Sequence, residues 1–104
     1  MTIEELNKMR INPGDLAYKN LTGSPKQIAW AEKIRFEKIQ SAVDNFNLLI
    51  DNEVEKAIAD EEGREAKKAA IISVAGHLEA KWWIDNRNRI NEEIVKEYRN
   101  RRMK

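Results

Sequence analysis

Three features of the chain predict an all-α fold. Apolar residues recur at spacings of three and four over long runs, alternating β-branched runs are missing, and only two prolines and four glycines interrupt 104 residues. A chain of this length makes one domain with one modest core. The expected architecture is a small helical bundle built on a long antiparallel helical hairpin, with a short N-terminal helix laid across it and a C-terminal helical extension.

Residues 1–22 are expected to form the short helix and a connector. Thr2 and Glu5 have the spacing of a capping box, which predicts a helix from Ile3 to about Arg10, broken by Asn12-Pro13-Gly14-Asp15. Ile3, Leu6, Met9 and Ile11 are too few to fold alone and are expected to dock on a larger body. The segment from Leu16 to Leu21 is a connector closed by Thr22-Gly23.

The first arm spans 24–50. Ser24 is an N-cap, Pro25 sits at the first helical position where its missing N–H costs nothing, and Gln27 can reach back to the cap amide. Ile28, Ala31, Ile34, Ile39, Ala42, Val43, Phe46, Leu49 and Ile50 then form one helical stripe. Residues 51–63 are an acidic connector. The second arm and its extension, 64–98, carry Ala66, Ala70, Ile71, Val74, Ala75, Leu78, Trp82 and Ile84, followed by Ile90, Ile94, Val95 and Tyr98. Within this arm Ala69, Ser73, Gly76 and Ala80 make a row of small side chains that admits another helix closely. A glycine inside a helix costs about 1 kcal/mol relative to alanine, so tight packing is the expected compensation at Gly76. Residues 99–104 are a basic tail.

The position of the turn decides which residues meet. A turn confined to Asp60–Gly63 gives arms of about 35 residues and sets Trp30 opposite residues near 93. If all of Asp51–Gly63 is connector, the arms shorten to about 26 residues, and Trp30 comes opposite Ile84, where it can cluster with Trp82 and Trp83.

Charge excludes several function classes. The formal net charge is +1, so no overall field drives the chain onto nucleic acid or membrane. The distribution is uneven: Asp51–Glu65 holds seven acids against Lys56 and Arg64, and Lys81–Lys104 holds eight bases against four acids. Cysteine is absent, which removes disulfides, thiol nucleophiles and thiolate metal sites. The opening MTIEELNKMR is unlike a signal peptide and no run approaches a membrane span, so a cytoplasmic protein without membrane contact is expected.

Binding residues are sought around the tryptophans. Trp30 straddles the edge of the apolar stripe beside Lys26 and Lys33; it either covers the core edge or anchors a partner or a stacked base. Trp82 and Trp83 lie about 100° apart on a helix, so one is expected to be buried and the other exposed or covered. Asp85 is expected to pair with Lys81 or a lysine across the hairpin, and Arg87 to reach a helix end or a carboxylate. Lys26, Gln27 and Arg87 at a helix N-terminus are the alternative, an anion site. The candidate binding set is Lys26, Gln27, Trp30, Arg35, Trp82, Trp83, Asp85 and Arg87.

The pair LTGSPKQIAWAEKIR and AKWWIDNR resembles a signature of short, mostly uncharacterised bacterial and phage proteins. In them a GSxKQIxWAxxIR element and a downstream WWIDNR element surround a middle of differing length. The resemblance covers about 23 of the 104 residues and brings no chemistry with it. It implies that the two elements contact one another, which favours the shorter-arm register. Pro25 departs from the acidic residue more usual there, and a helix start tolerates the change.

Catalysis is not expected. His77 is the only histidine and reads as an interior residue of its helix with no nucleophile at hand; Glu61, Glu62 and Glu65 read as a solvated turn, and neither a P-loop nor a GxGxxG is present. No catalytic residue, metal ligand or cofactor is therefore assigned. The function expected is a non-catalytic helical interaction module, carried by a phage or mobile element, that binds and regulates or inhibits a protein partner. The alternative is a nucleic-acid accessory protein using Lys26, Trp30, Arg87 and the basic tail. The small-residue row or the spare tryptophan would support a homodimer.

Overall fold

The computed structural model describes residues 2–102, and every regular element within them is an α-helix. Met103 and Lys104, the end of the expected basic tail, lie outside the described residues. None of the described helices is long and apolar enough to cross a membrane.

The N-terminal segment is as short as its composition requires. Helix α1 (Ile3–Met9) is capped by Thr2, whose hydroxyl accepts from the Glu5 amide at 3.1 Å. The Asn12-Pro13-Gly14-Asp15 sequence ends it as expected, but is itself a turn of helix, α2 (Pro13–Leu16), because the Asp15 carboxylate accepts from the Asn12 amide at 2.8 Å. Met9, Ile11, Leu16 and Leu21 are buried, while Ile3 is left in solvent. Polar clamps fix the segment across the molecule. Asn47 both accepts from the Ile11 amide and donates to its carbonyl, Arg10 donates to Asp51 at 2.9 Å, and Lys68 donates to the Arg10 carbonyl at 2.9 Å.

Helix α3 (Pro25–Asn52) is the long element, about 42 Å at 1.5 Å per residue. Its start is the capping box read in the sequence: the Ser24 hydroxyl accepts from the Gln27 amide at 3.3 Å and the Gln27 side chain accepts from the Ser24 amide at 3.1 Å. Ala31, Ile34, Ile39, Val43, Phe46 and Ile50 of the expected stripe are buried. Leu49 is not, standing 60% exposed.

The acidic connector is mostly helical. After α3 the chain kinks at Glu53, forms α4 (Val54–Ala59), which buries none of its residues, and kinks again at Asp60. Helix α5 (Glu61–Ala75) then runs back along α3, its start beside Leu49 and Ile50 and its far end reaching the segment before Ser24.

The expected single second arm is corrected here: it is three helices. Helix α5 stops at Ala75 with Gly76 as its cap, α6 covers Ala80–Asp85 and α7 covers Ile90–Arg102. The first break is caused by backbone pairing. Leu78 accepts from the Thr22 amide at 2.7 Å and the Ala80 amide donates to the Thr22 carbonyl at 2.9 Å, a parallel bridge that draws residues 77–79 out of the helix. At the second break α6 ends on Asn86, whose amide and side chain both donate to the Trp82 carbonyl, and the Arg87 side chain donates to the Ile84 carbonyl, so the last carbonyls of the helix are satisfied locally. Gly76 is accordingly an exposed helix end, and Ala80 belongs to a different helix from Ala69 and Ser73, so the continuous small-residue row does not form.

These breaks reverse the direction of the third leg. Thr22 meets Glu79, Gly23 approaches Ala80, and Trp30 meets Arg87, so partners advance together along both chains and α6 runs parallel to the start of α3. Neither antiparallel register, with Trp30 opposite Ile84 or residues near 93, is adopted. Helix α7 continues past the second break and packs antiparallel on α5, with Lys67 over the Tyr98 ring and Arg102 bonded to Asp60 at 3.1 Å. Arg99–Arg102 thus form the last turn of a helix.

Asp60 supplies a pH prediction. Its carboxylate caps α5 by accepting from the Gly63 amide, and that bond, with the one from Arg102, holds its pKa below the ordinary 3.8. A folded-state value below the unfolded one stabilises above pH 3.8 and is lost as the pH falls through the folded value. The difference in Tm between the wild type and Asp60→Asn should therefore be largest near neutrality and close as the pH drops below 3.8. A difference that stays constant down to strong acid would contradict this assignment.

Candidate interaction site

The two tryptophan elements meet through the backbone first. Gly23 has φ +141°, which side-chain-bearing residues rarely adopt, and a Cβ there would lie 3.1 Å from that of Ala80. Glycine is needed both for the turn and for the approach. Ala80 is fully buried, and behind it α6 lies against the first half of α3.

Adjacent tryptophans on α6 separate as the helical angle demands. Trp83 is completely buried, and its indole N–H donates to the His77 carbonyl at 2.9 Å. Trp82 is half-buried, packed edge to face on Trp83 with centroids 4.9 Å apart. Its covering is His77, stacked at 3.6 Å and 10°. His77 therefore lies in the extended link after α5, half-buried against an indole, and not inside a helix as expected.

Trp30 belongs to neither ring pair, so the expected cluster of all three tryptophans is replaced by a pair and an outlier. It stands 49% exposed with the Arg87 guanidinium 5.3 Å from its centroid. Arg87 is held there by its 2.6 Å bond to the Ile84 carbonyl, the helix-end role foreseen for it. A cation over an exposed indole contributes about 0.5–1 kcal/mol. Asp85 accepts from Lys81 at 2.8 Å, the nearer of its two expected partners, and this hydrogen bond raises the Lys81 pKa above its ordinary value.

Other candidates are drawn into the framework. Arg35 is only 7% exposed; it donates to the Lys19 carbonyl at 2.8 Å and lies 4.8 Å from the Tyr18 ring, strapping the connector onto α3. Burial raises the Tyr18 pKa, against the opposing Arg35 charge. Gln27 is committed to the capping box. At the expected anion site of Lys26, Gln27 and Arg87, Pro25 has no N–H, the Gln27 amide is bonded to Ser24, and one Arg87 nitrogen donates to the Ile84 carbonyl. Lys26 stays exposed one turn before Trp30.

The structure thus brings Trp30 and Arg87 together where α6 ends, while Trp82 and Trp83 sit with His77 nearer its start. Thr22, Leu78 and His77, which build the start of α6, were not candidates; Thr22-Gly23 was legible only as a loop closure. Among the described residues no group of three or more His, Asp or Glu side chains gathers as a metal site. Comparison with protein-family models, curated proteins and solved structures returns no match for this chain.

Proposed function

We propose that the chain is a non-catalytic helical interaction module that binds a protein partner in the cytoplasm and regulates or inhibits it. The observation that carries this reading is the Trp30–Arg87 pair: a large aromatic ring half in solvent with a guanidinium fixed over it. Trp and Arg are the side chains most enriched among residues that dominate binding energies. The pair is pre-organised, since Trp30 is on a capped 28-residue helix and Arg87 is tied to the end of α6. Lys26 beside it favours an acidic rim on the partner. The resemblance of the two elements to short bacterial and phage proteins supports an origin on a phage or mobile element.

The nucleic-acid alternative would use Lys26, Trp30, Arg87 and the basic end. The guanidinium already covers the Trp30 ring, and Arg102 is spent on Asp60, so stacking a base and holding phosphates would require breaking existing contacts. The partner reading is favoured for that reason.

The test is affinity capture from the native host with wild-type protein and with Trp30→Ala. One partner should be retained by the wild type, and Trp30→Ala should bind it roughly 30-fold more weakly, the loss of about 2 kcal/mol typical of a dominant interface residue. Equal binding by both proteins would contradict the assignment. Salt-sensitive binding to labelled DNA or RNA, lost in Trp30→Ala, would favour the alternative.

A further inference from the structure

Away from the tryptophans, on the second half of α3, a separate apolar face is left open. Leu49 and Val95 flank a shallow groove floored by Ala42, Phe46 and Ile94, with Lys67 the charged residue along it. Leu49 is 60% exposed and Val95 37%. This face lies about 18–28 Å along α3 from Trp30, between Ala42 and Leu49.

We infer that this face is covered by a second copy of the chain, with the two α7 helices packed antiparallel about a two-fold axis between Val95 and Lys96. The sequence of α7 selects this occupant. Glu92, Val95 and Arg99 lie at i, i+3 and i+7 on one stripe of the outer surface of the helix, with Lys96 beside it, long enough to turn its ammonium to solvent. An antiparallel copy centred between Val95 and Lys96 sets Glu92 level with Arg99 of the copy and Arg99 level with Glu92 of the copy, with Val95 within about 1.5 Å along the axis of its own image. The stripe is therefore complementary to itself in charge as well as in apolar surface, as an isologous interface requires. Leu49, at the groove edge, is covered by the same approach. Glu92 pairs with Arg89, just before α7, at 3.2 Å, and both side chains are more than 60% exposed, so exchanging that partner costs little.

Sedimentation equilibrium on the full chain over a wide concentration range tests this. The wild type should be a reversible dimer. Val95→Arg should weaken association by at least about tenfold while leaving the helical circular dichroism unchanged. Glu92→Arg and Arg99→Glu should each be monomeric alone, because each sets like charges opposite one another, and an equimolar mixture of the two should dimerise again. A wild type that is monomeric throughout, a dimer indifferent to Val95→Arg, or a mixture that fails to re-associate would overturn the inference. Trp30→Ala should leave the dimer intact, so loss of the partner and loss of self-association are read separately.

Discussion

Trp83→Ala is expected to destabilise the protein by about 3–5 kcal/mol, the cost of emptying a fully buried aromatic site. The indole fills the space where α6 meets α3, and its N–H satisfies the His77 carbonyl at 2.9 Å. Removing it leaves a cavity, an unpaired carbonyl and a Trp82 ring without its edge-to-face neighbour. Domains of this size have about 5–15 kcal/mol in all, so the variant should be close to unfolding at ordinary temperature. Trp83→Phe keeps most of the packing and should lose less, with the hydrogen bond contributing about 1 kcal/mol of the difference. Urea denaturation followed by circular dichroism measures both. A loss under 1 kcal/mol for Trp83→Ala would mean that this indole is not in the core.

Gly23→Ala should be the next most costly change, about 2–4 kcal/mol. Two terms combine: a φ of +141° that alanine adopts only under strain, and a Cβ 3.1 Å from Ala80. A double-mutant cycle with Ala80→Gly separates them, because the second change relieves the crowding and not the strain. Positive coupling of part of the loss is the expected result. Additive effects would show that the two residues do not touch.

Local signals in the sequence reported local structure faithfully. Ser24, Pro25 and Gln27 specify a helix start by themselves, and the structure contains that capping box. The apolar stripe of α3 was legible because one face of one helix is buried along its length. The breaks in the second arm were not. A 3.6-residue period continues through Gly76 and through Asn86 without interruption, and what stops the helix at Gly76 is a backbone pairing with Thr22, more than fifty positions away. Arg35 reads in the sequence as a candidate binding residue, yet its guanidinium donates to the Lys19 carbonyl and is buried, a contact that spacing along one helix does not reveal. Leu49 was assigned to the core from its period alone; its face is open because α7 lies to one side of it.

The proposed binding role of the Trp30 end requires Trp30 to be the indole that meets solvent, and iodide quenching of tryptophan emission measures that directly. With Trp83 sunk between α3 and α6 and Trp82 roofed by His77, Trp30 should carry most of the quenchable signal. Trp30→Phe should therefore abolish most of the iodide sensitivity and move the remaining emission to shorter wavelength. Quenching that is unchanged in Trp30→Phe would place a different indole at the surface and contradict the account.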